Sequence, residues 1–458
     1  MRGRFSTLYS FGALAAVVIM TSAVVVVATT TGFVQVSALT ILIATAVAFT
    51  AHEITHPITW FGPIFWLYSA AYPMLAIAGV YEYDSDLQLT VLLHALAFLA
   101  FSIPLIACRR ALDVQHWDMR AMRLRKEVSV LLLALLLPLI VLLILHVGSL
   151  GVATKRDLID LDSGVVSILI SALTLMTFVY CVFLVCAVSR GDSIWPIASM
   201  TLVCFGGVIV MVGERDYLLR ALVATVLIVW DFRRKPRFPT IAAIGLLMII
   251  ALPWLQSIKA AGLGGAGKQY EFELLSLFSQ EFRVAAQNTY VVLARDVDSY
   301  ASPLQVLSRD LVRALSPNIL GFSAQSTTNW FNEVIYFDVT SGRGFSLVGY
   351  GYLLGGPVGV GVLYGALGMI YRYAYLFRGK SYLRHVAYML MVPLLMYVQR
   401  GDIGTWLAQM LRGVLLLLLV FAAGVVIIRL MSASAGKRRL AEANGRWIKS
   451  PRAREVVS

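Results

Sequence analysis

Charge is the scarcest property of this sequence. Asp, Glu, Lys and Arg make up 14% of the 458 residues, whereas a soluble domain usually has about 25%. Hydrophobic residues make up 59%, and the mean hydropathy is +0.80. These values exclude an ordinary soluble fold and predict an integral membrane protein. The net charge of +13 lies mostly in short loops beside apolar runs, so it does not indicate nucleic-acid binding.

Cysteine and histidine are also few, and their positions exclude two kinds of chemistry. Cys108, Cys181, Cys186 and Cys204 lie within or at the ends of apolar runs, and no CxxC pair is present. Neither a disulfide nor a thiolate metal site is therefore expected. None of the six histidines falls within the long polar segment 258–345, which disfavours a histidine base there. We expect no metal and no cofactor.

Apolar runs of roughly 17–25 residues recur along the chain, and each is long enough to cross a bilayer. We place spans at 11–29, 34–50, 58–80, 87–107, 127–147, 164–188, 194–212, 217–232, 239–257, 346–371, 386–399 and 411–430. The predicted fold is an all-α polytopic membrane protein with about twelve transmembrane helices. Arg2 and Arg4 precede the first run as in a signal peptide, but the next span follows at once, so we expect an uncleaved helix.

Basic loops alternate consistently onto one side of the predicted spans, which places both termini in the cytoplasm. The chain then divides into four parts. Residues 1–257 hold the first nine spans, 258–345 form a long extracytoplasmic loop, 346–430 hold the last three spans, and 431–458 form a basic cytoplasmic tail. Helical periodicity over 270–294 predicts an amphipathic helix in the loop.

The rest of the long loop has weaker patterns. A shorter helix is expected at 310–315, ended by Ser316 and Pro317, and the remainder up to Gly344 is expected to be irregular. The loop carries five arginines on the side of the membrane where arginine is scarce by default. They are Arg283, Arg295, Arg309, Arg313 and Arg343. Several arginines in such a place indicate an anionic ligand, although Arg295, Arg309 and Arg313 are expected only to solvate helices.

Three arginines outside the loop extend this pattern. Arg215 lies in a turn between two spans, Arg220 lies about one helical turn deeper, and Arg400 lies in the segment Gln399–Asp402. A guanidinium group binds two phosphate oxygens at once. Arg215 and Arg400 are equally compatible with anchors that reach the lipid headgroups, but Arg220 requires a partner or a cavity. With Arg283 and Arg343, these residues predict one shared anion site.

Two loop carboxylates are candidates for a general base. Glu281 falls on the apolar face of the predicted amphipathic helix, where burial would raise its pKa. The alternative is a carboxylate at the edge of that face, in contact with water. Glu333 and Asn332 lie among aromatic residues, a combination that suits sugar binding, although interfacial aromatic residues are common in membrane proteins.

Two other motifs have structural explanations. Glycines four residues apart between Gly351 and Gly365 indicate close helix packing rather than phosphate binding. Asp84-Ser85-Asp86 has the spacing of a metal-binding pair, but no further ligand is visible. We therefore expect this motif to cap the next helix.

The whole chain resembles the Wzy-type O-antigen and exopolysaccharide repeat-unit polymerases, which are membrane-embedded glycosyltransferases related to the O-antigen ligases. The resemblance rests on a dozen spans, one long outer loop late in the chain, Gly213-x-Arg215 opening a span, Gly342–Gly359 entering a glycine-rich span, and Gln399-Arg400-Gly401 before the last span. It implies a metal-independent transferase in the bacterial inner membrane. Its substrates would be two glycans linked to undecaprenyl pyrophosphate, and a chain-length regulator is a candidate partner.

The resemblance also implies roles for particular residues. The arginines of the family that contact pyrophosphate would correspond here to Arg215, Arg283, Arg343 and Arg400. Many relatives have a glutamate near the start of the glycine-rich span, where this chain has Val348–Tyr352, so the expected base is Glu333 or Glu281. The related ligases use a loop histidine, and its absence here favours a polymerase.

Two other classes of protein fit part of the pattern. A lipid-linked oligosaccharide flippase, or another polytopic transporter, would share the spans and the basic inner loops. Transporters often contain two similar halves and charged or broken helices at the midplane. The absence of an internal repeat, the few deep charges and the single large loop favour an enzyme. The third class is a non-catalytic assembly subunit.

Overall fold

The computed structural model describes residues 2–51, 53, 55–106, 108, 119–149, 163–212, 216–232, 282–315, 325–336, 344–411, 413 and 426. Its regular elements are helices, with no β-strand among the described residues. They are α1 (Arg2–Thr29), α2 (Gly32–Thr50), α3 (Pro57–Ile77), α4 (Asp86–Ile106), α5 (Met119–Ser149), α6 (Ser163–Ser189), α7 (Trp195–Val212), α8 (Asp216–Phe232), α9 (Arg283–Ala294), α10 (Pro303–Leu315), α11 (Thr327–Tyr336), α12 (Leu347–Phe377) and α13 (Tyr382–Val398). Residues 403–411 form a further helical segment.

Six helices contain a segment long and apolar enough to cross a membrane. These segments are Phe11–Thr29, Gly32–Thr50, Asp86–Ile106, Met122–Val147, Ile168–Ser189 and Leu347–Lys380. The prediction of an all-α, membrane-embedded protein is confirmed for the described residues. The other described helices at predicted spans, such as α3 and α8, are not among the six. The predicted span 239–257 and nearly all of 411–430 lie outside the described residues, so the total of twelve and the long outer loop remain predictions.

Helix α10 begins earlier than its sequence predicted. The expected helix covered 310–315, whereas α10 begins at Pro303. A capping box explains the difference. The amide of Ser302 donates to the side chain of Gln305 over 3.0 Å, and the amide of Gln305 donates to the hydroxyl of Ser302 over 3.4 Å. Pro303 then occupies the first helical position, where its missing N–H is not needed.

The prediction of irregular structure up to Gly344 is wrong for 327–336, which form α11. The first amides of α11 are bound by carboxylates from distant parts of the chain. Thr327 N–H donates to Asp310 and Thr328 N–H donates to Asp402, each over 3.1 Å. Such caps satisfy the unpaired amides of a helix N-terminus. Because both partners are remote in sequence, no local pattern indicates this helix.

Helix α12 is interrupted rather than continuous. Gly355 and Gly356 have non-helical backbone angles, with φ of +62° at Gly356, and Pro357 follows. The halves 347–354 and 357–377 therefore fold back against each other. A Cβ at Gly359 would lie 2.3 Å from the carbonyl oxygen of Gly351, so glycine is required where the halves touch.

The expected close packing of the glycine-rich segment is confirmed only at some positions. Gly359 touches Gly351, and a Cβ at Gly351 would lie 2.9 Å from the Cα of Val360, so both glycines pack against the other half of α12. Outside the predicted set, a Cβ at Gly368 would lie 2.5 Å from the carbonyl oxygen of Phe101 in α4. Gly361 and Gly365, by contrast, have no neighbouring atom within 4 Å of such a Cβ among the described residues. The spacing of four therefore does not by itself mark a packed helix face here.

The turn Gln399–Asp402, called here the junction turn, joins three distant segments. Phe345 N–H donates to the carbonyl oxygen of Arg400 over 2.9 Å, and Leu347 N–H donates to that of Gln399 over 3.3 Å. These bonds fix the entry of α12 to the end of α13. The backbone of the turn thus serves as an acceptor surface for the segment before α12.

Two more contacts fix the position of the junction turn. The hydroxyl of Tyr364, in the second half of α12, donates to the side chain of Gln399 over 2.7 Å. Gly344 has a φ of +69°, and a Cβ there would lie 2.7 Å from the carbonyl oxygen of Arg400. Both the left-handed backbone and the close approach therefore require glycine at 344.

Buried ionic groups connect α8, α12 and α13 at the ends opposite the junction turn. Arg378 is 1% exposed, and its guanidinium lies 2.7 Å from Glu53 and 3.8 Å from Asp231. His385 lies 3.5 Å from the same Asp231 carboxylate, and the hydroxyl of Tyr388 donates to the carbonyl oxygen of Thr55. We call Glu53, Asp231, Arg378, His385 and Tyr388 the ion-pair cluster. It joins the segment before α3 to the ends of α8 and α12 and to α13.

We predict that Arg378→Ala lowers the free energy of unfolding by about 3–5 kcal/mol, because it leaves Glu53 and Asp231 buried without their cation. The thermal midpoint of the purified protein in detergent measures this effect. Arg384→Ala is the matched control, since Arg384 is exposed at the start of α13. Equal midpoints for the two variants would contradict a stabilising role for the ion-pair cluster.

Candidate functional site

Arg220 is a buried cation within the apolar bundle. It lies in α8 and is 8% exposed. Its guanidinium carbon lies 5.4 Å from the ring centre of Tyr217 and 4.9 Å from that of Tyr397. Among the described residues its Nε has no hydrogen-bond partner, and no ion pair to it is found. A charge in such a place is stabilised by a cavity, a ligand or aromatic faces.

A small cavity adjoins this guanidinium. It is lined by Thr174, Thr177, Phe178, Tyr217, Arg220, Leu390, Pro393, Leu394 and Gln409. The side-chain oxygen of Gln409 also has no hydrogen-bond partner among the described residues. The cavity admits a group about the size of one water molecule. A single phosphate oxygen would therefore fit, whereas a whole phosphate group would enter only if the surrounding side chains moved apart.

Arg400 lies near Arg220 at the same end of α13. The amide of Arg400 donates to the carbonyl oxygen of Tyr397 over 3.3 Å, and Tyr397 is the residue whose ring faces Arg220. The half-buried side chain of Arg400 passes next to Gly344, since its Nε lies 3.6 Å from the position of a Cβ there. Arg220 and Arg400 are therefore both adjacent to Tyr397, Arg220 through the ring and Arg400 through the backbone.

Arg283 belongs to a different group of side chains. It is the first residue of α9, and it donates a hydrogen bond to the hydroxyl of Tyr81. The guanidinium carbon also lies 4.9 Å from the ring centre of Tyr81. Further along, α9 contacts the start of α12, where the hydroxyl of Thr289 lies 2.7 Å from that of Ser346. That contact is about 9 Å of helix away from Arg283.

Helix α11 exposes Glu333 and buries Asn332 together with two aromatic residues. Glu333 is exposed and accepts a hydrogen bond from Gln325. Asn332 is buried, and its side-chain oxygen has no partner among the described residues. Trp330 and Phe331 are buried in the core, so in this arrangement they are not open to a sugar ring. Glu333 is accessible to a substrate, but the aromatic faces predicted to accompany it are not.

Three predicted residues lie outside the described residues. They are Arg215, Arg343 and Glu281. Arg215 directly precedes α8, and Arg343 directly precedes Gly344 at the junction turn. Their assignment to an anion site, and that of Glu281 as a base, stay predictions.

The remaining loop arginines do more than solvate helices. Arg295 donates to the carbonyl oxygen of Ile335 over 3.0 Å, which ties the end of α9 to α11. The guanidinium carbon of Arg309 lies 5.0 Å from the ring centre of Trp330. Arg313 lies 3.6 Å from the buried carboxylate of Asp402. These arginines hold the loop helices against the bundle.

Asp402 and Asp310 form a buried carboxylate pair that the sequence did not predict. Asp402 accepts hydrogen bonds from the hydroxyl of Thr328 over 2.6 Å and from the amide of Thr405 over 2.7 Å. Burial, and then the charge of Asp402, raise the pKa of Asp310 to about 6, although the Thr327 amide and Arg313 act in the opposite direction. The sequence feature that could have indicated this pair is the position of Asp310 on the same helical face as Val306 and Ala314, which is the buried face of α10.

We predict that Asp310→Asn stabilises the protein at pH 7.5 by on the order of 2 kcal/mol. The pKa of Asp310 is raised in the folded state from 3.8 to about 6, so folding favours the protonated carboxyl. This contribution is complete below about pH 4 and is lost as the pH rises through 6. Asparagine keeps the acceptor for Thr327 and cannot ionise.

Thermal midpoints of the wild type and Asp310→Asn, measured from pH 4 to pH 8, check this expectation. The two curves should coincide at the acid end and separate as the pH rises. The exposed Asp298 provides the control, since Asp298→Asn should change neither the midpoint nor its pH dependence. If the wild type instead became more stable than Asp310→Asn as the pH rises, the pKa of Asp310 would not be raised by folding, and the prediction would be contradicted.

The chain was compared with family models, with curated proteins and with solved structures. No match was found in any of the three comparisons. The six apolar helices indicate a membrane-embedded protein, and any more specific function has to be inferred from the residues themselves.

Proposed function

We propose that this protein is a metal-independent glycosyltransferase of the Wzy type, which joins oligosaccharide repeat units carried on undecaprenyl pyrophosphate. In this proposal it lies in the bacterial inner membrane with both termini in the cytoplasm, and the reaction takes place at the outer face. The junction turn and α9 to α11 then belong to the outer side, and the ion-pair cluster belongs to the inner side.

The proposed reaction transfers a glycan from one lipid carrier to another glycan. A hydroxyl oxygen at the non-reducing end of the acceptor attacks the anomeric carbon of the donor. The bond between that carbon and the pyrophosphate oxygen breaks, and undecaprenyl pyrophosphate leaves with the electron pair. The hydroxyl proton passes to a carboxylate. Guanidinium groups stabilise the negative charge that grows on the leaving pyrophosphate.

The observation that carries the proposal is the burial of Arg220. A guanidinium in an apolar span, beside a cavity and with an unpartnered Nε among the described residues, is positioned to receive an anion. Arg400 lies at the same end of α13, and Arg215 directly precedes α8. We assign these three residues to the pyrophosphate. Arg283, which lies in the separate group around Tyr81, and Arg343 are assigned to more distant parts of the same substrates, with Asn332 as a sugar contact.

Arg220 could bind the anionic substrate, or it could have a purely structural role. Substitution of Arg220 distinguishes these two roles. We predict that Arg220→Ala lowers the polymerisation rate about a hundredfold to a thousandfold, because the leaving group loses a charge-stabilising donor. Arg220→Lys keeps the charge without the planar fork and should retain intermediate activity. Long-chain polysaccharide and single repeat units are measured in cells with equal amounts of each variant in the membrane.

Arg123→Ala is the control for this series, since the Arg123 side chain is 71% exposed and pairs with Glu127. It should leave the ladder of chain lengths unchanged. A normal ladder from Arg220→Ala at wild-type abundance would remove Arg220 from the anion site. Thermal midpoints of the purified variants identify any loss of activity that comes from unfolding.

The base is predicted to be Glu333 or Glu281, and glutamine at each position separates them. The variant that removes the base should lose about a hundredfold to ten-thousandfold in rate, because proton acceptance by a positioned carboxylate contributes that much. The other variant should stay within severalfold of the wild type. Turnover of purified protein with lipid-linked repeat units measures both. Equal, small losses would exclude both carboxylates as the base.

A flippase is the second candidate function, and the interruption in α12 favours it. Backbone that is not helical within a membrane protein often lines a substrate path, and Gly355, Gly356 and Pro357 form such a break. The same break has a simpler consequence here, since it lets the half 347–354 return to the junction turn. The two functions differ in one product: only a polymerase forms a new glycosidic bond.

A further inference from the structure

Helix α10 has three distinct faces. Val306, Asp310 and Ala314 are buried against the protein. At about 100° per residue, Gln305, Arg309 and Arg313 form a polar face beside them. The remaining face is exposed and mostly apolar, with Ser308 among its residues, and we call its apolar part the leucine stripe. It consists of Leu304, Leu307, Leu311, Val312 and Leu315.

The apolar side chains of the leucine stripe are more exposed than is usual for a helix in contact with water. Leu304 is 75% exposed and Leu315 is 72% exposed, and no described element covers them. Exposed apolar patches of this kind mark contacts with proteins or membranes. No acidic residue lies in the stripe, and the neighbouring polar face carries Arg309 and Arg313. An apolar face beside a basic one is typical of a helix that lies in a membrane interface.

The depth of α10 in the bundle identifies what covers the stripe. Helix α13 (Tyr382–Val398) is apolar and ends immediately before the junction turn. It is about 25 Å long, close to the thickness of the hydrocarbon core. The junction turn therefore lies at the boundary of the hydrocarbon core.

Helix α10 is fixed to the same level. A Cβ at Gly404, two residues after the junction turn, would lie 2.7 Å from the Cβ of Asp310. Asp310 and Asp402 also cap the same end of α11. The middle of α10 therefore lies at the depth of the junction turn, where the surroundings of an outward-facing side chain are lipid rather than water.

We propose that α10 is embedded in the membrane interface, with the leucine stripe in contact with the acyl chains of the lipid bilayer. The partner is the bulk lipid of the leaflet next to the junction turn. Arg309 and Arg313 lie beside the stripe, where they contact Trp330 and Asp402 and hold α10 to the protein. The contact with lipid holds the caps of α11 at a fixed depth, and it does not depend on the proposed enzymatic activity.

Nitroxide labels on full-length protein in phosphatidylcholine–phosphatidylglycerol vesicles test the proposal. Leu304→Cys, Leu311→Cys and Leu315→Cys place labels on the stripe, and Gln305→Cys on the polar face is the matched control. The four native cysteines are buried, and unsubstituted protein gives their background. Collision rates with oxygen, which concentrates in lipid, and with a water-soluble nickel complex are measured by power saturation.

We expect the ratio of oxygen to nickel collisions to be several-fold higher at the three stripe positions than at Gln305. Predominant nickel collisions at the stripe would place it in water and overturn the proposal. Exclusion of both reagents would also overturn it, since a second copy or another protein would then cover the stripe. Leu311→Trp gives an independent reading, because phospholipids brominated in their acyl chains should quench its fluorescence if the proposal holds.

Discussion

The end of the bundle that holds the junction turn depends on one buried carboxylate, Asp402. It accepts hydrogen bonds from both the amide and the hydroxyl of Thr328 and from the amide of Thr405, and it lies 3.6 Å from Arg313. A buried carboxylate requires this number of partners, because an unpaired charge in an apolar bundle is strongly unfavourable. Each partner belongs to a different segment, so the same requirement gathers α10, α11 and the helix after the turn around one point.

The same constraint, applied at two levels of the bundle, distinguishes an arginine that is paired with carboxylates from one that is not. At one level the ion-pair cluster balances the charge of its arginine, since Arg378 faces the carboxylates of Glu53 and Asp231. At the other level Arg220 has only aromatic faces and a cavity among the described residues. Both arginines are buried, and they differ in whether carboxylates balance them. That difference, rather than burial alone, is the physical basis for assigning an anionic ligand to Arg220.

Hydrophobic run length predicted most of the described helices well, because a span must fill the bilayer. The span predicted at 58–80, for example, corresponds to α3 (Pro57–Ile77). Tertiary effects were not predictable from local patterns. Helix α11 was missed because its caps come from Asp310 and Asp402. The interruption of α12 did have a local signal, the sequence Gly355-Gly356-Pro357, which a prediction from hydropathy alone does not detect. The depth of Arg220 was predicted from its position one turn into a span, whereas Asp310 resembled an ordinary residue at the start of a helix.

The most direct test of the proposed function is turnover by the purified protein in vesicles. Undecaprenyl pyrophosphate carrying one oligosaccharide repeat unit is supplied as both donor and acceptor, and EDTA removes divalent metal ions. A polymerase should produce a ladder of longer glycans and release one undecaprenyl pyrophosphate for each new glycosidic bond. Repeat units that cross the bilayer without any new bond would contradict the polymerase and establish a flippase.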